Sequence, residues 1–261
     1  MKSIRSRDNP AVKQLIALAH SSRERKKVGL TVLDGVHLID AYRRAIGAPK
    51  QVAIAESAVT RDDVRGILRD LDERTLISLP DAYFREISSL DSPSVAVALV
   101  ETPIARPTPD NATVLMMDDI QDPGNVGSLL RSAAAAGVKD VMTSKTTAFC
   151  WSPKVLRAAQ GAHFSLNIVE GADIESFLKS YRGDSLALVA NQVGAASLFD
   201  TPVHGAVALL LGNEGAGLSP GVLSAAKRRV TLPMPGKIES LNVAAAGAIA
   251  LFEIVRQRST K

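Results

Sequence analysis

Three features of this 261-residue sequence predict a two-domain α/β protein. Short apolar runs alternate with stretches of helical periodicity, the pattern of strands joined through helices into a sheet. In the second half most runs, such as VLMM and VALLL, are apolar at every position instead of every other one, as parallel strands covered on both faces require. Between the halves lies TPIARPTPDNAT (102–113), whose three prolines can continue neither a central strand nor a helix. The expected organisation is a first domain at 1–103, a linker at 104–111 and a second domain at 112–261.

In the first domain, Pro10 opens a helix whose apolar residues Val12, Leu15, Ile16 and Ala19 recur with a 3.6-residue period. The strand-like runs LTVL, QVAIA, TLISL and SVAVALV then alternate with helical patterns near 35–47, 61–71 and 80–87, giving a small α/β domain. In the second domain the runs are VLMMDD, KDVMTS, SLNIVE, SLALVAN, AVALLLG and RVTLP. Helical patterns fall between them at about 125–136, 153–160, 174–182 and 219–226, and a final one covers 241–257. Periodicity alone reads this domain as a doubly wound parallel sheet.

Composition narrows the function. With 46% hydrophobic and 22% charged residues the chain reads as a soluble globular protein. No run approaches the roughly 20 apolar residues of a membrane span. The start, MKSIRSRDNPAVKQL, lacks the apolar core of a secretory signal, so a cytoplasmic location is expected. The single Cys150 excludes an internal disulfide, and His20, His37, His163 and His204 lack metal-ligand spacing, so no metal is expected. Charge is uneven: residues 1–50 carry 11 Lys/Arg against 4 Asp/Glu. Such a basic arm attracts polyanions, because each neutralised phosphate releases counterions. A solvated, frayed terminus explains the same charge equally well. Cys150 has no identifiable base partner, and the neighbouring Trp151 is at most a weak candidate for stacking on RNA.

Ligands of open α/β sheets collect beyond the carboxyl ends of the strands, and three loops there are unusual. The first, in IQDPGNVGSLLRSAAAAG, is a turn at 122–125; Asn125 is placed to cap the helix after it, and Arg131 lies one turn beyond Gly127. The second, NEGAGLS, follows AVALLLG and is spaced GxxGxG, which fits neither a dinucleotide fingerprint nor a P-loop. Its glycines would let backbone groups approach a small ligand, with Glu214 able to orient a cation or donor. The third, MPGKIESLN, holds Pro233, Pro235 and Gly236 ahead of a long apolar helix that Ser240 could cap and near whose start Asn242 lies. Each loop taken singly is also explicable as turn chemistry.

Together, and in this order, the motifs DPGNVGSLLRSA, PKVLRAAQGAHF, LLLGNEGAGLS and LPMPGKIESLNVAAAGAIALFE resemble the SpoU (TrmH-type) group of RNA ribose methyltransferases in the SPOUT superfamily. NPAVKQLIALAHSSRERKKVGLTVLDGVHLIDA is similar to the substrate-binding domain often fused ahead of that catalytic domain. The resemblance implies a C-terminal α/β domain with a deep trefoil knot, preceded by a smaller α/β RNA-binding domain. It implies S-adenosylmethionine as cofactor, contacted by Gly212, Leu232 and Leu241 with Met234 and Ser240 nearby. It also implies a homodimer, with the last helix (Leu251 and Phe252 included) and the helix from Asn125 as contact surfaces.

The implied activity is 2′-O-methylation of a ribose in structured RNA, ribosomal in view of the extra N-terminal domain. The resemblance gives the proton-accepting role to Arg131. A guanidinium holds its proton at neutral pH, so either its surroundings perturb it strongly or it positions phosphate while another group takes the proton. Asn125, Glu214 and Asn242 are expected around it, with Glu214 ordering Arg131 or the cofactor. Asn9, Lys13, Arg23, Arg25 and Lys26 are the expected RNA contacts. Two departures are visible: Ala244 where relatives often carry serine, and Asp34 where they often carry glutamate before the glycine. A tRNA- or base-directed relative and a non-catalytic RNA-binding protein are the alternatives at this point.

Overall fold

A computed structural model describes residues 1–69, 71–88, 93–190 and 194–259. Asp70 of the 61–71 pattern and Asn191 of SLALVAN lie outside these residues. The chain divides into two compact units, one of residues 1–104 and 151–164, the other of residues 105–150 and 165–261. The segment 151–164, expected in the second domain, thus clusters with the first. Among the described residues no helix is long and apolar enough to cross a membrane.

Unit 1 contains β1 (Lys2–Ser3), α1 (Pro10–His20), α2 (Ser22–Val28), β2 (Leu30–Asp34), α3 (Val36–Ala45), β3 (Gln51–Ala55), α4 (Asp62–Leu68), β4 (Leu76–Leu79), α5 (Asp81–Ile87) and β5 (Ala96–Glu101). Its sheet runs β1-β4-β3-β5-β2 and is mixed: β5 is antiparallel to both of its neighbours, while β1 and β3 pair parallel with β4. Asn9 caps α1, its side chain accepting from the Ala11 N–H at 3.0 Å ahead of Pro10 at the first helical position. Ser21 ends α1 and caps α2 through the Glu24 N–H at 3.1 Å; periodicity alone does not predict α2. Asp34, the substitution for glutamate, has both carboxylate oxygens bonded, one by the Ser88 hydroxyl at 2.7 Å and the other by that of Ser94.

The segment that joins unit 1 out of sequence carries α7 (Pro153–Ala159), numbered in chain order after α6 and β7 below; it packs against β2. The Arg25 guanidinium donates to the carbonyls of Leu18 and Trp151 and is buried, at 2% exposure. Burial lowers its pKa to about 10. Arg25 is therefore a structural clamp and not the RNA contact that its basic run implies. Trp151 is likewise buried, tilted against His163, and has no open face for a base.

Unit 2 contains β6 (Val114–Met117), α6 (Pro123–Ala135), β7 (Asp140–Thr143), β8 (Asn167–Val169), α8 (Ile174–Ser180), β9 (Asp184–Leu188), β10 (Ala196–Ser197), β11 (Val207–Leu211), α9 (Pro220–Ala225), β12 (Arg228–Thr231) and α10 (Val243–Ser259). All seven strands are parallel, in the order β10-β12-β9-β11-β6-β7-β8. On one face Val114, Met116, Ala208 and Leu210 pack with Ile174, Leu178 and Val222 of α8 and α9. Strand alternation turns Leu115, Met117, Leu209 and Leu211 to the other face, where α6 and α10 pack together. That double burial is why these runs are apolar throughout. Gly247 permits the close packing there: a Cβ would fall 2.4 Å from Leu129 Cδ2 and 2.7 Å from Leu211 Cδ1. The strand order reverses between β6 and β11, adjacent strands from opposite ends of the unit, which places a ligand crevice beyond their carboxyl ends.

Candidate active site

The chain after β9, β11 and β12 meets in unit 2 around a cavity of about 590 Å³; no residue of the loop after β6 lines it, although Asn213 ties that loop to the cavity wall through Asp119. Gly212, Leu232, Met234, Ser240 and Leu241, the five residues expected at a cofactor, all line it, together with 213–217 and the end of β9 at Leu188 and Val189. The walls combine leucines with the bare backbone of a glycine loop.

That loop is held tightly. Asn213 and Gly217 exchange two backbone hydrogen bonds of 2.9 Å, with Gly217 in the left-handed region at φ 73. Gly212 lies under this fold-back, and a Cβ there would come within 2.3 Å of the backbone at Gly217 and Leu218. The Asn213 side chain pins the loop in two directions. Its Oδ1 accepts from the N–H groups of Gly215 (2.9 Å) and Ala216 (3.0 Å), and its Nδ2 donates to the Asp119 carbonyl (2.9 Å) and carboxylate (3.1 Å). Asp119 adopts φ 59, rare for a residue with a Cβ. Hydrogen bonds from Thr146, Gln121 and Asn213 hold its carboxyl below the usual range. Its neighbour Asp118, buried, accepts from the Ser219 N–H at 2.9 Å. Asn213, Asp118 and Asp119 were given no role from sequence; the signal was two carboxylates ending an apolar strand at the crevice.

A second set of side chains links the three loops. Asn242 Nδ2 donates to Asn125 Oδ1 at 2.9 Å, and Asn125 Nδ2 donates to Glu214 Oε1 at 2.8 Å. Two capping expectations are corrected here. Asp122, not Asn125, caps α6, accepting from the Asn125 N–H at 2.8 Å, because Pro123 suits the first helical position. Asn242, not Ser240, caps α10, accepting from Ala244 (2.9 Å) and Ala245 (3.2 Å). These caps leave the Asn125 amide free to bridge and Ser240 free to line the cavity. Ala244, the departure from serine, does not line it.

Arg131 is exposed on α6, six residues and about 9 Å along the axis from Asn125, and does not line the cavity. Glu214 was expected to order Arg131 or the cofactor; its carboxylate accepts from Asn125 and lines the cavity, and Arg131 has no ion pair among the described residues. Leu251 is buried within its own unit, which removes it from the expected contact surface, whereas Phe252 is 49% exposed. In unit 1, Lys13 is ion-paired to Asp8 at 2.8 Å and Arg23 and Lys26 are exposed. Among the described residues no cluster of His, Cys, Asp or Glu is gathered that could hold a metal.

Comparison with known proteins agrees with this architecture. A model of the SpoU rRNA Methylase family matches residues 112–252. The chain is 29% identical to the 23S rRNA (guanosine(2553)-2′-O)-methyltransferase RlmP of Bacillus subtilis, over 97% of this chain and 99% of that protein. It is 30% identical to an uncharacterized tRNA/rRNA methyltransferase of Synechocystis, over 98% and 94% of the two chains. The crystal structure of the SpoU methyltransferase AviRb from Streptomyces viridochromogenes, in complex with AdoMet, superposes with a TM-score of 0.85 at 25% identity, covering 97% of this chain and 99% of that one. An AdoMet-bound rRNA methyltransferase from Sinorhizobium meliloti gives 0.80 at 25% identity, over 98% and 97%. With its three site loops built as described and more than half its length matched, the chain belongs to the SpoU rRNA methylase family.

Proposed function

We propose that this protein transfers a methyl group from S-adenosylmethionine to a ribose 2′-hydroxyl of structured ribosomal RNA. The observation that carries the reading is that the loops after β11 and β12 line one cavity and that the Asn242–Asn125–Glu214 chain ties both of them to the start of α6. The relative from Bacillus subtilis, named for 2′-O-methylation of 23S rRNA, matches both units and so favours ribose over base and ribosomal over transfer RNA.

The cavity fits the cofactor of the family. Its volume lies in the range of small-molecule sites, and Leu188, Leu211, Leu232 and Leu241 offer apolar walls. The three glycines of 212–217 bring bare backbone to the cavity wall, and the Glu214 carboxylate suits a cationic donor. When bound, S-adenosylmethionine supplies an electrophilic methyl on a sulfonium. Gly212, Leu232, Met234, Ser240 and Leu241 would hold it. Asn125, Glu214 and Asn242 fix the loops against one another, so that the geometry for in-line attack is set before RNA arrives. Exposed Arg131 fits holding a phosphate of the substrate better than accepting a proton.

The finer readings belong to the same proposal. The segment after β12 returns across the sheet to place α10 on α6 and β11, a path that favours a trefoil knot threaded through the cavity loops. The exposed α10 face at Ala245, Ile249 and Phe252 suits a second copy of the chain. Unit 1 serves as the RNA-binding domain, with Asn9, Lys13, Arg23 and Lys26 as contacts, and the protein works in the cytoplasm, where ribosomal RNA is found. Methyl-labelled cofactor and ribosomal RNA, followed by nuclease digestion, test the reading: label is expected on ribose, and label on a base overturns it. R131A is expected to bind cofactor as the parent does and to transfer no methyl.

A further inference from the structure

We propose that Asp119 is a positioning residue for methyl transfer: it sets the cavity wall at 212–217 through Asn213, without lining the cavity itself. The inference rests on the reading of that cavity as the S-adenosylmethionine site and names a residue behind it. Asp119, at φ 59, is one of two non-glycine residues in the left-handed region among the described residues. A residue with a Cβ persists there only where its surroundings over-determine it. A glycine would adopt the same turn at no steric cost, so what the aspartate adds is its side chain.

The turn is held from both sides. Toward the end of β7, the Asp119 N–H donates to the Ser144 hydroxyl at 2.9 Å. The Ser144 N–H donates to the Met117 carbonyl and the Ala148 N–H to the Ile120 carbonyl, each at 2.9 Å. Toward β11, the Asp118 N–H donates to the Leu211 carbonyl at 2.8 Å. The Asp119 carboxylate then accepts from Gln121 Nε2 at 3.1 Å, from Thr146 and from Asn213 Nδ2 at 3.1 Å. The Asp119 carbonyl takes the same Asn213 amide at 2.9 Å. Carbonyl and carboxylate are both acceptors, so only the NH2 end of the Asn213 amide can face them. That choice turns Asn213 Oδ1 to the N–H groups of Gly215 and Ala216, at 2.9 and 3.0 Å. A loop with glycines at 212, 215 and 217 has little side-chain packing of its own, so the orientation of one amide decides where its backbone groups stand against the cofactor.

The test uses the full chain, with S-adenosylmethionine titrated by calorimetry, initial rates on ribosomal RNA, and thermal melting. D119G keeps the turn and removes the carboxylate. It is expected to melt within about 3 °C of the parent, because relief of the left-handed strain offsets the lost hydrogen bonds. Its cofactor Kd and KM should rise by about fivefold, while its KM for RNA stays within about twofold of the parent. D119N keeps one acceptor oxygen for Asn213, since the Gln121 amide and the Thr146 hydroxyl can reverse to accept from the new NH2 group, and should bind cofactor within about twofold of the parent. D119G/N213A should bind cofactor no more weakly than N213A, because Asp119 acts through Asn213. Q160G makes the same backbone change at the other left-handed residue, φ 51, and should bind cofactor as the parent does. The positioning role is overturned, and the cofactor reading left standing, by parental cofactor affinity in D119G, by D119N as weak as D119G, by losses from D119G and N213A that add, or by a KM for RNA that rises with that for cofactor. A parent that binds no S-adenosylmethionine would overturn the cofactor reading, and the role with it.

Discussion

Asn125 is the side chain on which the candidate site depends most, and N125A tests that dependence. The substitution removes one hydrogen bond to a carboxylate and one from an amide, at 2.8 and 2.9 Å. A charged hydrogen bond contributes about 1.5–3 kcal/mol and a neutral one about 1, but Glu214 and Asn242 are exposed, so water replaces most of what is removed. A stability cost of about 1 kcal/mol follows, a fall in Tm of roughly 2–4 °C for a chain of this size. The Asp122 cap on α6 uses the Asn125 backbone and survives. Catalysis should suffer far more. Untying the three loops permits misplacement on the order of 1 Å, which costs about 100-fold in rate, or about 2.7 kcal/mol of barrier. Calorimetry, cofactor titration and initial rates of methyl transfer separate the two effects. The expected result is a small loss of Tm, cofactor affinity within about threefold of parent, and kcat lower by about two decades. Because Asn242 acts on the site through the same amide, kcat of N125A/N242A should be little below that of N125A alone, while Tm falls further with the lost α10 cap. Parental kcat in N125A, or losses of kcat (in log units) from the two single substitutions that simply add, would refute the relay.

Three other outcomes are expected. N213A removes four hydrogen bonds that shape the 212–217 loop, so cofactor affinity measured by titration should fall by about tenfold or more, beyond the change from M234L, which alters a wall but no pin. G247A gains about 1 kcal/mol of helix propensity but overpacks against Leu129 and Leu211, which costs about 1–3 kcal/mol, so thermal melting should show net destabilisation. R25A leaves a cavity and two unpaired carbonyls and should lower stability by on the order of 3 kcal/mol. R25M retains most of the volume, and here the sign of the pH effect is fixed. Burial lowers the Arg25 pKa to about 10, so the charged form opposes folding, and the parent should gain stability relative to R25M as pH rises through about 10.

What the sequence disclosed follows from the range of the interactions involved. The long strands were legible because burial on both faces leaves a mark at every position. β1 and β10, two residues each at sheet edges, leave none. α1 was legible in its apolar period, whereas α2 carries no such period; it rests on Ser21, whose capping role shows only in its bond to the Glu24 N–H. RERKK reads as a solvated charge run, yet Arg25 is withdrawn from it by a carbonyl 126 residues away. No local pattern reports such an interaction, and the transfer of 151–164 to unit 1 was invisible for the same reason.

The site shows the same limit at finer grain. Its loops could be located, since glycine, proline and asparagine at strand ends mark places where backbone must turn or come close. The identity of the polar partners could not, because Glu214 has Asn125 and Arg131 on the same helix to choose between, and only packing decides. The outcome has a physical logic. A cavity walled largely by apolar side chains and glycine offers few polar groups to fix its shape from within, so residues that tie the loops together take that part. Asn213 does this within one loop and to Asp119, and Asn125 does it across three. Pairing Glu214 with an amide instead of a guanidinium keeps its charge uncompensated beside the cavity and leaves the Arg131 charge uncompensated on the open surface of α6. The arrangement therefore leaves negative charge beside the cavity and positive charge on α6, which a Glu214–Arg131 ion pair would have cancelled; the proposed transfer from a cationic donor to an anionic acceptor would use both.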